Sequence, residues 1–256
     1  MNIAVILAGG IGSRIGADRP KQFIEVMGKP VLAYTLEVFQ KNTNIDAIEI
    51  VCHRSWKKEV RAISERYNIT KTKWIICGGE SFQESVMNGI FFLEGKVRPE
   101  DIVVISFGVS PLTPQEDIND SIRVCKLHGN AVAAADIDLC TCIMDDEKSS
   151  TQNLIRETLK GFANPWTFKF DELYEAYNEA VERGIIDKVE PHTTSLYFAL
   201  GKRIFFSQYT SLQAKITYKS DLDVFEGYLL LKQKREKEKN DIDYNNTGGG
   251  LLDDKL

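Results

Sequence analysis

The stretch that most restricts this chain's fold is its first: residues 2–7 form an apolar, strand-like run, and Ala8-Gly-Gly-Ile-Gly-Ser-Arg-Ile-Gly16 follows without a break. A strand that empties into a glycine-rich turn suits a polyphosphate. Gly9, Gly10, Gly12 and Gly16 let the backbone approach a ligand and take φ > 0, so that N–H groups converge on phosphate oxygens while Arg14 and Lys21 neutralise them. Further strand-like runs at residues 47–52, 74–77, 102–107 and 131–137 alternate with helical stretches, which predicts a mostly parallel α/β sheet covered on both faces. Ser81-Phe-Gln-Glu84 reads as a capping box opening a helix to about Leu93, and Thr113-Pro-Gln-Glu116 as a second, with proline at the first helical position. Right-handed crossovers then gather the loops after the strands along one edge of the sheet, where open α/β sheets bind ligands.

The commoner phosphate motifs do not fit. A dinucleotide fingerprint counted from Gly10 and Gly12 needs glycine where Ile15 stands, and the second strand ends in Cys52-His53 rather than an acid for a ribose. A Walker-type loop needs Gly-Lys followed by Ser or Thr, whereas Gly28-Lys29 is followed by Pro30 and lies beyond the turn. The dehydrogenase reading is therefore weak, and the kinase-like and ATPase-like readings drop out.

With 256 residues and 43% hydrophobic content, the chain is long enough to bury one sizeable core. Its formal charge of -5 offers no electrostatic footprint for nucleic acid or an anionic membrane, so neither is an expected partner. No run approaches the length of a membrane span, and residues 1–3 lead into a strand rather than a signal peptide, so the cytoplasm is the expected location. Five cysteines, odd in number and mostly in apolar strand-like runs, read as reduced thiols. Cys140-Thr-Cys142 is too short for zinc-finger spacing, and no residue is assigned as a metal ligand. From residue 140 to 161 the pattern turns polar, as two short extended runs around a loop that either protrudes as an arm or lies as a surface loop. Residues 171–183 read as helical, 203–207 as extended, and Ser220-Asp-Leu-Asp223 as the cap of a last helix. From about residue 236 the chain becomes a charged tail whose composition predicts disorder.

The turn with its arginine, then Pro20-Lys-Gln22 and Gly28-Lys-Pro30, resembles the signature shared by 2-C-methyl-D-erythritol 4-phosphate cytidylyltransferases and ribitol-5-phosphate cytidylyltransferases. The resemblance covers about residues 1–231 and implies a three-layer, Rossmann-like nucleotidyltransferase fold over residues 1–235, with a β-arm at about 140–163 that reaches a second subunit to make a homodimer. It implies transfer of CMP from CTP to a polyol phosphate with release of pyrophosphate, in making a precursor of isoprenoids or of teichoic acid or capsule. Mg²⁺ is expected from the resemblance, without identifiable ligands here. The triphosphate and the reaction would be served by Arg14, Lys21 and Lys215, the last from Gln213-Ala-Lys-Ile-Thr217. Leu7, Ala8, Gly9, Gly10, Gly12, Gly78, Gly79 and Ser85 would contact the nucleotide, and Arg156 and Thr141 the acceptor.

Several positions depart from that pattern. Phe82 and Ser110 stand where the families have arginine, Phe107 replaces a metal-associated aspartate, and Asn164-Pro165-Trp166 replaces Thr-Pro-Gln. Phenylalanine cannot ligate Mg²⁺, and Asp136 or Asp138 would have to compensate. Two readings therefore stand at this point: an active cytidylyltransferase with a divergent acceptor pocket, or a catalytically degenerate relative serving as a binding or scaffold subunit. A transferase using UTP or another base is a third.

Overall fold

A computed structural model describes residues 1–10, 19–210 and 215–247. At its centre lies β1 (Asn2–Ala8), buried on both faces from Ile3 onward, as a continuous apolar run requires of an inner parallel strand. β1 leads to the ribbon of β2 (Glu25–Val26) and β3 (Lys29–Pro30), then α1 (Val31–Lys41), β4 (Ala47–Cys52), α2 (Lys57–Arg66) and β5 (Thr72–Cys77). The chain continues through α3 (Phe82–Phe92), β6 (Ile102–Phe107), α4 (Gln115–His128) and β7 (Asn130–Asp136). A hairpin of β8 (Thr141–Ile143) and β9 (Gln152–Leu154) precedes β10 (Lys160–Lys169), α5 (Phe170–Glu182), α6 (Thr193–Ala199), β11 (Phe206–Ser207) and α7 (Lys219–Thr247).

Seven strands form one sheet in the order β11-β7-β10-β6-β1-β4-β5, parallel except for β10, which runs antiparallel to both neighbours. Side-chain alternation sends Ile3, Val5 and Leu7 to one face, with α3, α5 and α6, and Ala4, Ile6 and Ala8 to the other, with α1, α2 and α4. The result is the predicted three-layer sandwich. Because β4 and β5 lie on one side of β1 and β6 on the other, the strand order reverses between β1 and β6, and the loops leaving their carboxyl ends open a crevice there.

Local signals resolve unevenly. The Ser81 capping box forms: the Ser81 hydroxyl accepts from Glu84 N–H at 3.1 Å and the Glu84 carboxylate accepts from Ser81 N–H at 3.0 Å. The box expected at Thr113 does not. Pro114 is itself the cap of α4, and the Thr113 hydroxyl donates instead to Ser110 C=O at 3.1 Å, a nearer partner once the loop folds back. β10 lies partly inside the stretch assigned to the arm, so the arm proper is the β8–β9 hairpin and residues 160–163 belong to the central sheet. Only Phe206 and Ser207 of the extended 203–207 run join the sheet. The tail expected to be disordered from residue 236 continues α7 to Thr247, entered through a run of strong helix formers at residues 232–239 with a Lys234–Glu238 pair one turn apart; residues 248–256 of that tail lie outside the described residues. Cys52 and Cys125 are buried, Cys125 on a helix rather than a strand, but Cys142 on the hairpin and Cys140 just before it are exposed; all five are free thiols.

Candidate active site

The crevice at the β1/β6 reversal holds two adjoining cavities. The first, of about 240 Å³, is walled by Leu7 to Gly10 after β1, by Lys21 and Gln22, by Gly79 to Phe82 with Ser85 at the start of α3, and by Phe107, Val109 and Lys215. The second, of about 630 Å³, is lined by Phe162, Asn164 and Trp166 of β10, by Glu190 and His192, and again by Phe107 and Lys215. Phe107 and Lys215 form the seam.

Each cation at the crevice is placed by buried neighbours. Pro20 opens a short 3-10 turn whose Gln22 and Phe23 are buried; the Gln22 amide donates to Ala8 C=O at 2.9 Å and Gly10 C=O at 3.0 Å, and Phe23 packs edge-on against Trp56. With its two successors anchored, Lys21 reaches across the chain and its ammonium donates to Ile216 C=O at 2.9 Å. Ile216 is fully buried beside Val26, Val31, Val109 and Phe225, and its N–H donates to Val109 C=O at 2.9 Å. Lys215 is therefore delivered to the seam by the residue after it. Its ammonium lies 3.6 Å from the centroid of the Phe107 ring.

The Gly78–Gly79 loop is close-packed rather than loose. A Cβ on Gly79 would overlap the Glu84 side chain, and one on Gly78 would stand 2.7 Å from the Ser85 hydroxyl. That hydroxyl accepts from Gly79 N–H at 3.1 Å and donates to Ser81 C=O at 2.9 Å, so Ser85 pins the loop while facing the first cavity. Gly9 and Gly10 line the cavity as expected, but neither has the positive φ that the sequence suggested, and a Cβ would find room at both, with Ser85 Oγ 3.9 Å away at Gly9 and nothing within 4 Å at Gly10.

Of the residues singled out from sequence, Leu7, Ala8, Gly9, Gly10, Lys21, Gly79, Ser85 and Lys215 come together around the first cavity, and Gly78 stands behind it, its N–H donating to Cys52 C=O. Gly12 and Arg14 lie outside the described residues, as does Gly16. Arg156 and Thr141, expected at the acceptor, are on or next to the arm and line neither cavity; the Arg156 guanidinium meets Glu157 and the Asp138 carbonyl. Asp136 pairs with Lys160, and neither it nor Asp138 reaches the crevice. The position that would hold a metal-associated carboxylate presents a phenyl ring beside an ammonium, and no cluster of three His, Cys, Asp or Glu side chains suited to a metal ion exists among the described residues. Among the described residues, these side chains do not fit a protein-held Mg²⁺ site.

Sequence reasoning missed how the departures relate to one another. Phe82 stacks within 5.5 Å of Phe107, 5.7 Å of Trp166 and 5.4 Å of His192, while Trp166 lies 5.7 Å from Phe107 and 5.6 Å from His192. Four rings from α3, β6, β10 and the turn before α6 form one cluster between the cavities. Burial holds the His192 imidazole below its ordinary pKa, against the pull of Glu190, and Lys215 adds to the depression. No local pattern announces such a cluster, because its members are far apart in sequence.

Residues 2–230 match the family of 2-C-methyl-D-erythritol 4-phosphate cytidylyltransferase. The chain is 35% identical to the ribitol-5-phosphate cytidylyltransferase of Lacticaseibacillus paracasei over 93% of its own length and 100% of that protein's. It is 31% identical to the 2-C-methyl-D-erythritol 4-phosphate cytidylyltransferase of Clostridium novyi, covering 89% of this chain and 96% of that one. In fold it resembles the crystal structure of 4-diphosphocytidyl-2C-methyl-D-erythritol synthase from Anaerococcus prevotii, with a TM-score of 0.75 at 20% identity, over 90% of this chain and 96% of that one.

Proposed function

This chain belongs to the 2-C-methyl-D-erythritol 4-phosphate cytidylyltransferase family and is a cytidylyltransferase, and we propose that the polyol phosphate it couples to CMP is ribitol 5-phosphate. The observation that carries the reading is the seam: two cavities meet at Phe107 and Lys215, so a triphosphate in one and a phosphorylated acceptor in the other would touch at a fixed cation. An acceptor phosphate oxygen attacks the α-phosphorus of CTP, a new P–O bond forms, and the bond from the α-phosphorus to the bridging oxygen breaks to release pyrophosphate. The protein has little covalent work to do. It must align the two phosphates and spread positive charge over the oxygens that gain negative charge, which falls to Lys21 and Lys215 with the backbone amides after β1.

The larger cavity takes the acceptor, whose carbon chain lies against Phe162 and Trp166. Ribitol 5-phosphate is favoured over methylerythritol phosphate because the Lacticaseibacillus paracasei relative, matched end to end, carries that name. The aromatic cluster argues for a rebuilt site over a decayed one, since rings that replaced charged groups independently would have no reason to pack together. A homodimer through the arm fits the exposed Leu139, Ile143, Met144 and Ile155 on and beside the hairpin, an apolar group unusual for a solvated ribbon. No helix among the described residues is long and apolar enough to cross a membrane.

The test is pyrophosphate release from CTP with ribitol 5-phosphate and with methylerythritol phosphate in parallel, at equal Mg²⁺. The expected result is a kcat/KM at least tenfold higher with ribitol 5-phosphate. Equal or reversed preference would remove the acceptor assignment, and no release with any polyol phosphate would remove the transferase reading of the site.

A further inference from the structure

We infer that Phe107 is a positioning residue for Lys215: the face of its ring holds the ammonium at the seam of the two cavities. The inference rests on the reading of Lys215 as the cation that meets the reacting phosphates. Its basis is the 3.6 Å separation of the Lys215 Nζ from the ring centroid, inside the range where an aromatic quadrupole attracts a cation.

The ring is itself held. Phe107 ends β6, its N–H facing Asn164 Oδ1 at 3.4 Å, and the following Gly108 N–H donates to Leu7 C=O at 2.8 Å. Phe82 and Trp166 brace the ring at 5.5 and 5.7 Å. From the other side, the buried Ile216 fixes the backbone next to Lys215. Platform and cation are thus anchored by separate parts of the fold and meet at one point.

A ring and a carboxylate do different things to an ammonium. A carboxylate at position 107 would pair with Lys215 and cancel much of the charge offered to a phosphate; a ring face attracts the ammonium and leaves its charge intact.

The experiment replaces Phe107 by 3,5-difluorophenylalanine and by pentafluorophenylalanine, which keep the ring's shape while draining its face of negative potential, in the wild-type and Lys215→Ala backgrounds. With CTP and ribitol 5-phosphate, kcat should fall stepwise to about tenfold below wild type, equivalent to about 1.4 kcal/mol, while KM for CTP moves less than threefold. In the Lys215→Ala background the same replacements should cause no further loss. In the ligand-free protein, the Lys215 ε-methylene protons should resonate upfield from the ring current and return to their ordinary position in Phe107→Leu. An unshifted methylene in the wild type, a kcat indifferent to fluorination, or equal losses without Lys215 would each overturn the inference. A Lys215→Ala variant that turns over normally would instead remove the reading of Lys215, and the resonance would still decide whether the ring holds it.

Discussion

Glu49 sits in the middle of β4, fully buried, with neither carboxyl oxygen hydrogen-bonded and Gly89 of α3 packed over it. Burial pushes its pKa from the ordinary 4.5 up to about 8, with Lys96 pulling weakly the other way. The folded chain therefore keeps this proton at pH 7 while the unfolded chain has released it. Because the folded pKa lies above the unfolded one, the stabilisation is complete below pH 4.5 and is lost as pH rises towards 8. At 1.36 kcal/mol for each pH unit, the loss is roughly 3 kcal/mol at pH 7 and roughly 5 kcal/mol above pH 8. Glu49→Gln keeps the volume and removes the ionisation, but it brings an extra unpaired N–H at a cost of about 1 kcal/mol. The variant should then be about 2 kcal/mol more stable than wild type at pH 7, raise Tm by about 4–8 °C, and cross the wild-type curve near pH 5. Urea denaturation from pH 4.5 to 8.5 measures the difference directly. Parallel curves for the two proteins across that range would refute the reasoning, since they would mean that Glu49 ionises alike in both states.

Lys21→Ala should lower kcat/KM on the order of 10²–10³-fold in the pyrophosphate assay, and also free the Ile216 carbonyl it now engages; a loss under tenfold would remove Lys21 from the phosphate site. Ser85→Ala leaves Gly79 N–H and the loop without their pin, and should cost about 1–2 kcal/mol of stability by denaturant titration while raising KM for CTP several-fold; unchanged values would mean that the loop holds itself. Replacing Ile143 and Met144 together by aspartate, 47% and 75% exposed in the single chain, should convert a dimer to monomers by light scattering; a wild-type protein that is already monomeric would count against the arm as the interface.

Much of this molecule is written locally. The apolar runs of β1, β4 and β6, the Ser81 capping box and the α5 pattern each depend on neighbours a few residues away, so period and cap chemistry sufficed to find them. The placement of Lys21 and Lys215 at the crevice was legible for the same reason: each sits in a short motif. β10 was not, because Pro165 and the register break between Phe162 and Trp166 interrupt the alternation that marks a strand. Nor could sequence tell whether Phe82, Phe107, Trp166 and His192 were separate losses or one design. Their packing spans 110 residues of chain, and only the closing of the sheet on its helices brings those side chains within reach of one another and of Lys215. Short-range chemistry determined the elements; long-range packing alone decided which cation faces which ring.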